Sequence, residues 1–173
     1  DYGFAPYGAI GDTVFWDANA NGGQDWNEKG IPGVTVQLYY DTGLSNGVYD
    51  AGDILITSNV TDSAGHYLFG GLLASNYLVR VDPASSPITN AVLRADPQMD
   101  GEPCPYPPVP GATCDGATGV TILPGTSFMG ADFGYQPLGV IGDLVWVDLD
   151  GDGRDEVLAT ALGSLPACGG GEP

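Results

Sequence analysis

The sequence predicts an all-β sandwich. Three observations carry this: short apolar stretches separated by turn residues, 28 Gly and 14 Pro spread over 173 residues, and no twelve-residue window with a helical period. A two-sheet fold needs many short strands, each burying one face before Gly, Asn, Asp or Pro reverses the chain. Residues 34–40 alternate, with Val34, Val36 and Leu38 on one face. The stretches 54–56, 66–69, 77–81, 120–123 and 128–135 follow, each apolar or aromatic and bounded by turn residues. Residues 83–119 contain Cys104, Cys114 and much Pro, and read as a long excursion with little support for a helix.

The bulk numbers narrow the function. A chain of 17.8 kDa holds one core of about 120–150 residues, or one domain and a fragment. Its 43% hydrophobic content excludes a disordered acidic tail. Lys29, Arg80, Arg94 and Arg154 stand against 22 acidic residues, for a net charge of -18. That balance speaks against nucleic acid and anionic lipid, which need a basic patch, and favours divalent cations. No apolar run reaches the 18 residues of a spanning helix. The opening "DYGFAPYGAIGD" lacks an initiator Met and reads as a processed or excised piece. Cys104 and Cys114 are spaced to close a disulfide, as expected in an oxidising compartment, with Cys168 left over; the alternative is three free thiols.

An internal repeat organises the chain. Residues 1–12, "DYGFAPYGAIGD", and 132–143, "DFGYQPLGVIGD", share seven identical positions at an offset of 131. The match continues from 13–25 onto 144–156. One unit therefore spans 9–136, preceded by a tail or linker strand (1–8, equivalent to 132–139) and followed by a partial second repeat at 137–173.

The stretch 17–28, "DANANGGQDWNE", carries the sharpest chemical signal. Calcium takes six to eight hard oxygens, and the EF-hand spacing supplies them from positions 1, 3, 5, 7 (a backbone carbonyl), 9 and 12, with Gly at 6. Asp17, Asn19, Asn21, the Gly23 carbonyl, Asp25 and Glu28 fill those slots, with Gly22 at the turn. Two neutral Asn ligands lower the expected affinity. A second candidate ends at Asp53, with Asp50, the Val48 carbonyl, Gly47 and Asn46 in register. There Asp41 lies one residue too early and needs an inserted residue to loop out; a simple hairpin turn is the competing reading. The third candidate uses Asp148, Asp150, Asp152, the Arg154 carbonyl and Glu156, but Ala159 at position 12 supplies no side-chain oxygen.

Catalysis finds little to build on. His66 is the only histidine, the three Cys lack zinc spacing, and no phosphate-binding Gly-rich loop with a following Lys occurs. Asn59-Val60-Thr61 is a formal N-glycosylation sequon, read as chance. The aromatics beside the loops (Trp16, Trp26, Tyr39, Tyr40, Tyr49 and Trp146) are core and hairpin packing, or else a stacking surface for sugar or peptide.

The blocks 10–41, 48–82 and 131–135, in this order and spacing, resemble the B-type repeats of serine-aspartate-repeat adhesins of the Gram-positive surface. The resemblance implies an immunoglobulin-like or prealbumin-like β-sandwich binding Ca2+ through the first loop, and a stiff, non-catalytic spacer in an extracellular, surface-displayed stalk. Related collagen-adhesin B domains carry a Lys–Asn crosslink; Lys29, the only Lys, lies in the loop, so none is expected here. The expected partners are neighbouring repeats or further copies joined head to tail. Residues 137–173 are then either a truncated neighbour domain or an assembly element packing on the next subunit. The rival function is an adhesin or carbohydrate-binding module.

Overall fold

A computed structural model describes residues 3–43, 47–99, 101–107 and 114–139. They form nine strands: β1 Gly8–Trp16, β2 Thr35–Tyr40, β3 Ile54–Val60, β4 His66–Leu72, β5 Ser75–Val81, β6 Ala91–Ala95, β7 Ala117–Ile122, β8 Ser127–Phe128 and β9 Phe133–Pro137. One sheet has the order β4-β1-β9-β6, with β8 beside the start of β1. The other has the order β3-β2-β5-β7. The fold is the all-β sandwich that the residue pattern predicts, of the immunoglobulin-like or prealbumin-like kind that the resemblance implies.

Alternation explains the packing. Successive side chains on a strand face opposite sides, so Val36 and Leu38 on β2 and Tyr77, Val79 and Val81 on β5 all turn inward. They meet Ile10 and Val14 of β1, Tyr67 and Phe69 of β4, and Phe133 of β9 in one core. The Tyr67 hydroxyl donates to the Ala131 carbonyl at 2.5 Å, which satisfies its one polar atom inside that core. Gly30 packs against the Ala64–Gly65 backbone where a Cβ would collide, so the strand after the first loop passes a tight turn only as glycine.

Three segments differ from the sequence reading. Residues 8–16 form β1, although the small residues Gly8, Ala9 and Gly11 dilute its apolar pattern. The excursion contains β6 and two short 3-10 turns, Ser86–Ile88 and Pro97–Met99; β6 forms because β9 offers it an antiparallel edge. The run 128–135 breaks into β8 and β9, which pair with β1 at different places. Residues 3–7 carry no strand, whereas their counterparts in the repeat form β9.

β1 and β9 lie side by side and parallel, with Val14 opposite Phe133 and Trp16 opposite Tyr135. β3 and β4 are each one edge of their sheet, and the Asn59 amide joins them by donating to the Leu68 carbonyl at 2.8 Å. Within the formal sequon, Thr61 is buried; its hydroxyl donates to the Ile31 carbonyl (2.6 Å) and accepts from the Val34 N–H (2.9 Å). Both polar members of the sequon thus have structural work. Residues 140–173 lie outside the described set.

Candidate metal loops

The first loop leaves β1 directly after Trp16. Its ends are fixed by Asp17 N–H to the Tyr135 carbonyl (3.0 Å) and Trp16 N–H to the Lys29 carbonyl (2.9 Å). Asp17 is fully buried, and its two oxygens accept from the Asn21 (3.1 Å) and Gly22 (2.9 Å) N–H groups. Glu28 reaches back across the loop: one oxygen accepts from Ala18 N–H (2.8 Å), the other from Asp25 N–H (3.0 Å). The amides of Asn19 (2.7 Å) and Asn21 (3.1 Å) both donate to one oxygen of Asp25. Gly22 has φ +85°, and a Cβ there would come within 2.6 Å of the Glu102–Pro103 backbone. The turn residue is therefore glycine for two reasons, its conformation and its neighbour.

The loop is thus a ring of hydrogen bonds: Asp17 and Glu28 accept from its backbone N–H groups, Asp25 accepts from the Asn19 and Asn21 amides, and Gly23 N–H donates to the Asn21 amide oxygen. The donor chemistry fits a hard cation: the loop's side chains offer carboxylate and amide oxygens, and Asp25 is met only by uncharged amide donors. Among the described residues, no group of three or more His, Cys, Asp and Glu forms a metal cluster. The loop's donor set depends also on amide and carbonyl oxygens.

The second loop leaves β2 after Tyr40 and repeats the frame. Asp41, buried, accepts from Gly47 N–H at 2.9 Å. Asp53 accepts from Thr42 N–H (3.2 Å) with one oxygen and from Asp50 N–H (2.8 Å) with the other. Asp50 caps the turn through Gly52 N–H at 2.7 Å. Asp41 therefore stands where Asp17 stands in the first loop, one residue earlier than strict spacing allows. Val48 is exposed on this loop. Asn46, and the whole third candidate (Asp148, Asp150, Asp152, Arg154, Glu156), lie outside the described residues, as does Cys168.

Sequence reasoning missed the segment that touches both loops. β6 carries Arg94, whose guanidinium donates to the Cys104 carbonyl at 2.6 Å and toward the Ala20 carbonyl at 3.5 Å. Cys104 N–H returns to the Arg94 carbonyl at 2.7 Å. Beyond β6, Gln98 donates to the Gly47 carbonyl at 3.0 Å. Cys104 and Cys114 form a disulfide with a Cα–Cα distance of 5.8 Å.

Two carboxyls away from the ring are pushed up to about 6. Burial raises Asp96 despite bonds from the Gln98 and Gly116 N–H groups, and burial with the nearby Asp12 carboxylate raises Asp132. The aromatic set divides rather than forming one flat surface. Tyr39 is buried and meets Tyr49 edge-on at 5.2 Å, Arg80 lies 4.2 Å over the Tyr49 ring, and Trp16 is half-buried. Trp26, 97% exposed, projects from the first loop. Lys29 is exposed.

The SdrD B-like domain family matches residues 8–106. Serine-aspartate repeat-containing protein F of Staphylococcus epidermidis is 32% identical over 157 residues, covering 88% of this chain and 8% of the relative. Serine-aspartate repeat-containing protein C of Staphylococcus aureus is 31% identical over 150 residues, covering 85% and 13%. Colossin-B of Dictyostelium discoideum is 42% identical over 72 residues, 42% of this chain and 2% of the relative. The chain thus spans only 2–13% of the length of these relatives. Among solved structures, the minor pilin GBS52 of Streptococcus agalactiae superposes with a TM-score of 0.45 at 16% identity, covering 82% of this chain and 49% of that one.

Proposed function

Because the chain belongs to the SdrD B-like domain family, we propose that it is a non-enzymatic, calcium-stabilised structural unit of an extracellular surface protein. The observation that carries the calcium reading is the shared frame of the two loops. In each, an opening Asp is buried, a closing acid bridges the loop's first N–H and the N–H three residues before itself, and a Gly N–H donates to the opening carboxylate. In the first loop Asp17, Asn19, Asn21, the Gly23 carbonyl, Asp25 and Glu28 hold the ion; in the second Asp41, Asp50, Asp53 and the Val48 carbonyl do so.

The ion supplies charge cancellation. At a net charge of -18, clustered carboxylates oppose the folded state, and a divalent cation at each ring removes that opposition. Binding to the folded chain alone stabilises it by mass action, about 4 kcal/mol at a thousandfold excess over Kd. The repeat at 1–12 and 132–143 supports neighbours of the same kind joined head to tail.

Thermal unfolding in calcium and in excess chelator, with sedimentation on the same samples, tests both parts. We expect a large fall in Tm on chelation, and larger particles at high concentration. Equal Tm values would refute the metal reading. A monomer throughout would leave the metal and refute assembly of this chain.

A further inference from the structure

The side of the sandwich between β3 and β4 carries apolar surface that the fold does not bury. β3 is an edge strand with Ile54, Leu55 and Ile56 exposed in succession. Successive side chains point to opposite faces, so β3 presents apolar surface on both. Across from it Leu68 of β4 is exposed, as is Leu73 just beyond that strand. A groove of about 400 Å3 runs between the two strands, backed by buried Leu38, Phe69 and Tyr77. Among the described residues, none that lines this groove is charged. The chain has 22 acidic residues and a net charge of -18, so an uncharged, apolar side stands apart from the rest of the surface. Edge strands are commonly guarded by a charge, a proline or a bulge. β3 has neither charge nor proline; a register shift opposite Leu38 and Tyr39 and the side chain of Asn59 are its guards. The Asn59 oxygen accepts from Val60 N–H (2.7 Å) while its amide donates to the Leu68 carbonyl (2.8 Å), which occupies both edges near residue 60 and leaves Ile54–Ser58 as the sheet's edge.

We propose that this side docks a second copy of the chain, β3 against β3 about a twofold axis beside Ile56, and so closes a symmetric dimer. Charge selects the occupant. Two copies that each carry -18 repel wherever their acidic surfaces meet, and the β3–β4 side lets them approach with apolar side chains and no carboxylate lining the groove. The strand is also self-complementary, as a twofold contact requires. Antiparallel β3 strands set Ile56 of one copy against Ile56 of the other, Leu55 against Thr57 and Ile54 against Ser58. A contact of this length is small, so the dimer is weak, with a Kd on the order of 100 µM. It needs no calcium, and it differs from the head-to-tail contact proposed above: a twofold contact stops at two copies, whereas a head-to-tail one continues.

The test is sedimentation of the full chain in excess chelator, up to about 500 µM, a concentration at which so small a contact would still be occupied. It is run at about 0.1 M and about 1 M NaCl, between which the Debye length falls from about 10 to about 3 Å. We expect dimers that tighten by about tenfold at the higher salt, because screening relieves the repulsion between two acidic copies. Ile56→Lys and Leu68→Lys should each weaken the dimer by about tenfold or more, since each sets a charge at the apolar contact. Leu123→Lys makes the same change in net charge at an exposed leucine outside the groove and should leave the dimer intact. Melts at low concentration check that the variants fold, and either groove variant suffices if the other does not. A monomer at the highest concentration and salt would overturn the inference, as would association that weakens with salt or survives both groove variants. Particles that grow past two copies and ignore those variants would mark the head-to-tail contact and overturn it too.

Discussion

Glu28 and Asp53 hold the same post in loops of different length. Each bridges the N–H that follows the opening aspartate, on Ala18 or Thr42, and the N–H three residues before itself, on Asp25 or Asp50. Glu28 stands eleven residues after Asp17, and Asp53 twelve after Asp41. The shorter Asp53 side chain closes the longer loop. The frame survives an inserted residue because the backbone bonds define it, and sequence spacing only approximates them.

This equivalence makes Asp25 a clean probe. Its side chain accepts only from exposed Asn amides, while its N–H bond to Glu28 is independent of that carboxylate. Asp25→Ala should therefore lower Tm in calcium, at a cost of roughly 2–4 kcal/mol for one lost site at saturating metal. In chelator its stability should stay within about 0.5 kcal/mol of the native chain's. Equal losses with and without calcium, measured by thermal melts, would contradict the assignment.

Thr61 offers a test without metal. Its hydroxyl serves both the Ile31 carbonyl and the Val34 N–H at the buried junction between β2 and β3. Thr61→Val keeps the shape and strands two backbone groups, so a loss of about 2 kcal/mol is expected by urea unfolding. A neutral result would mean that the junction relaxes to re-pair them.

Acid should help the metal-free fold rather than harm it. Asp96 and Asp132 have folded pKa values near 6, above the ordinary carboxylate value near 4. Between those values the folded state binds more protons than the unfolded one, so these two groups make stability fall as pH rises. Their contribution is fully present below pH 4 and lost by about pH 6. Melts in chelator from pH 4.5 to 7 should show this slope. Asp132→Asn, which keeps an acceptor for Thr13 N–H, should flatten it.

The core itself should respond as a packed sandwich. Leu38 is fully buried at the centre of β2, and Leu38→Ala should cost about 2–5 kcal/mol in calcium and in chelator alike. That equality in denaturant titrations separates core damage from loop damage.

Much of this was legible in the sequence. The alternation of Val34, Val36 and Leu38 marks β2, and the polar, Gly-bearing stretch 17–28 marks the loop that follows β1. β1 was obscured by its glycines, which the fold requires for close approach to the Tyr67 and Thr126 backbone. β6 was hidden for a different reason. Ala91–Ala95 has no strong pattern of its own and is made a strand by the edge of β9, a long-range fact that no local window contains. For the same reason Arg94 and Gln98 drew no notice: their partners are far away in sequence, and only the fold brings them to the loops.

The parallel pairing of β1 with β9 has a mechanical consequence. These are the first and last strands of the sandwich, and a pull on the chain before Gly8 and after Pro137 drags them past one another along their length. The bonds between them are then loaded together, in shear, instead of being unzipped one at a time. Rupture requires several to fail at once, including Asp17 N–H to Tyr135 at the mouth of the first loop. A stalk built from such units would resist tension through the same pair of strands from which the first loop departs.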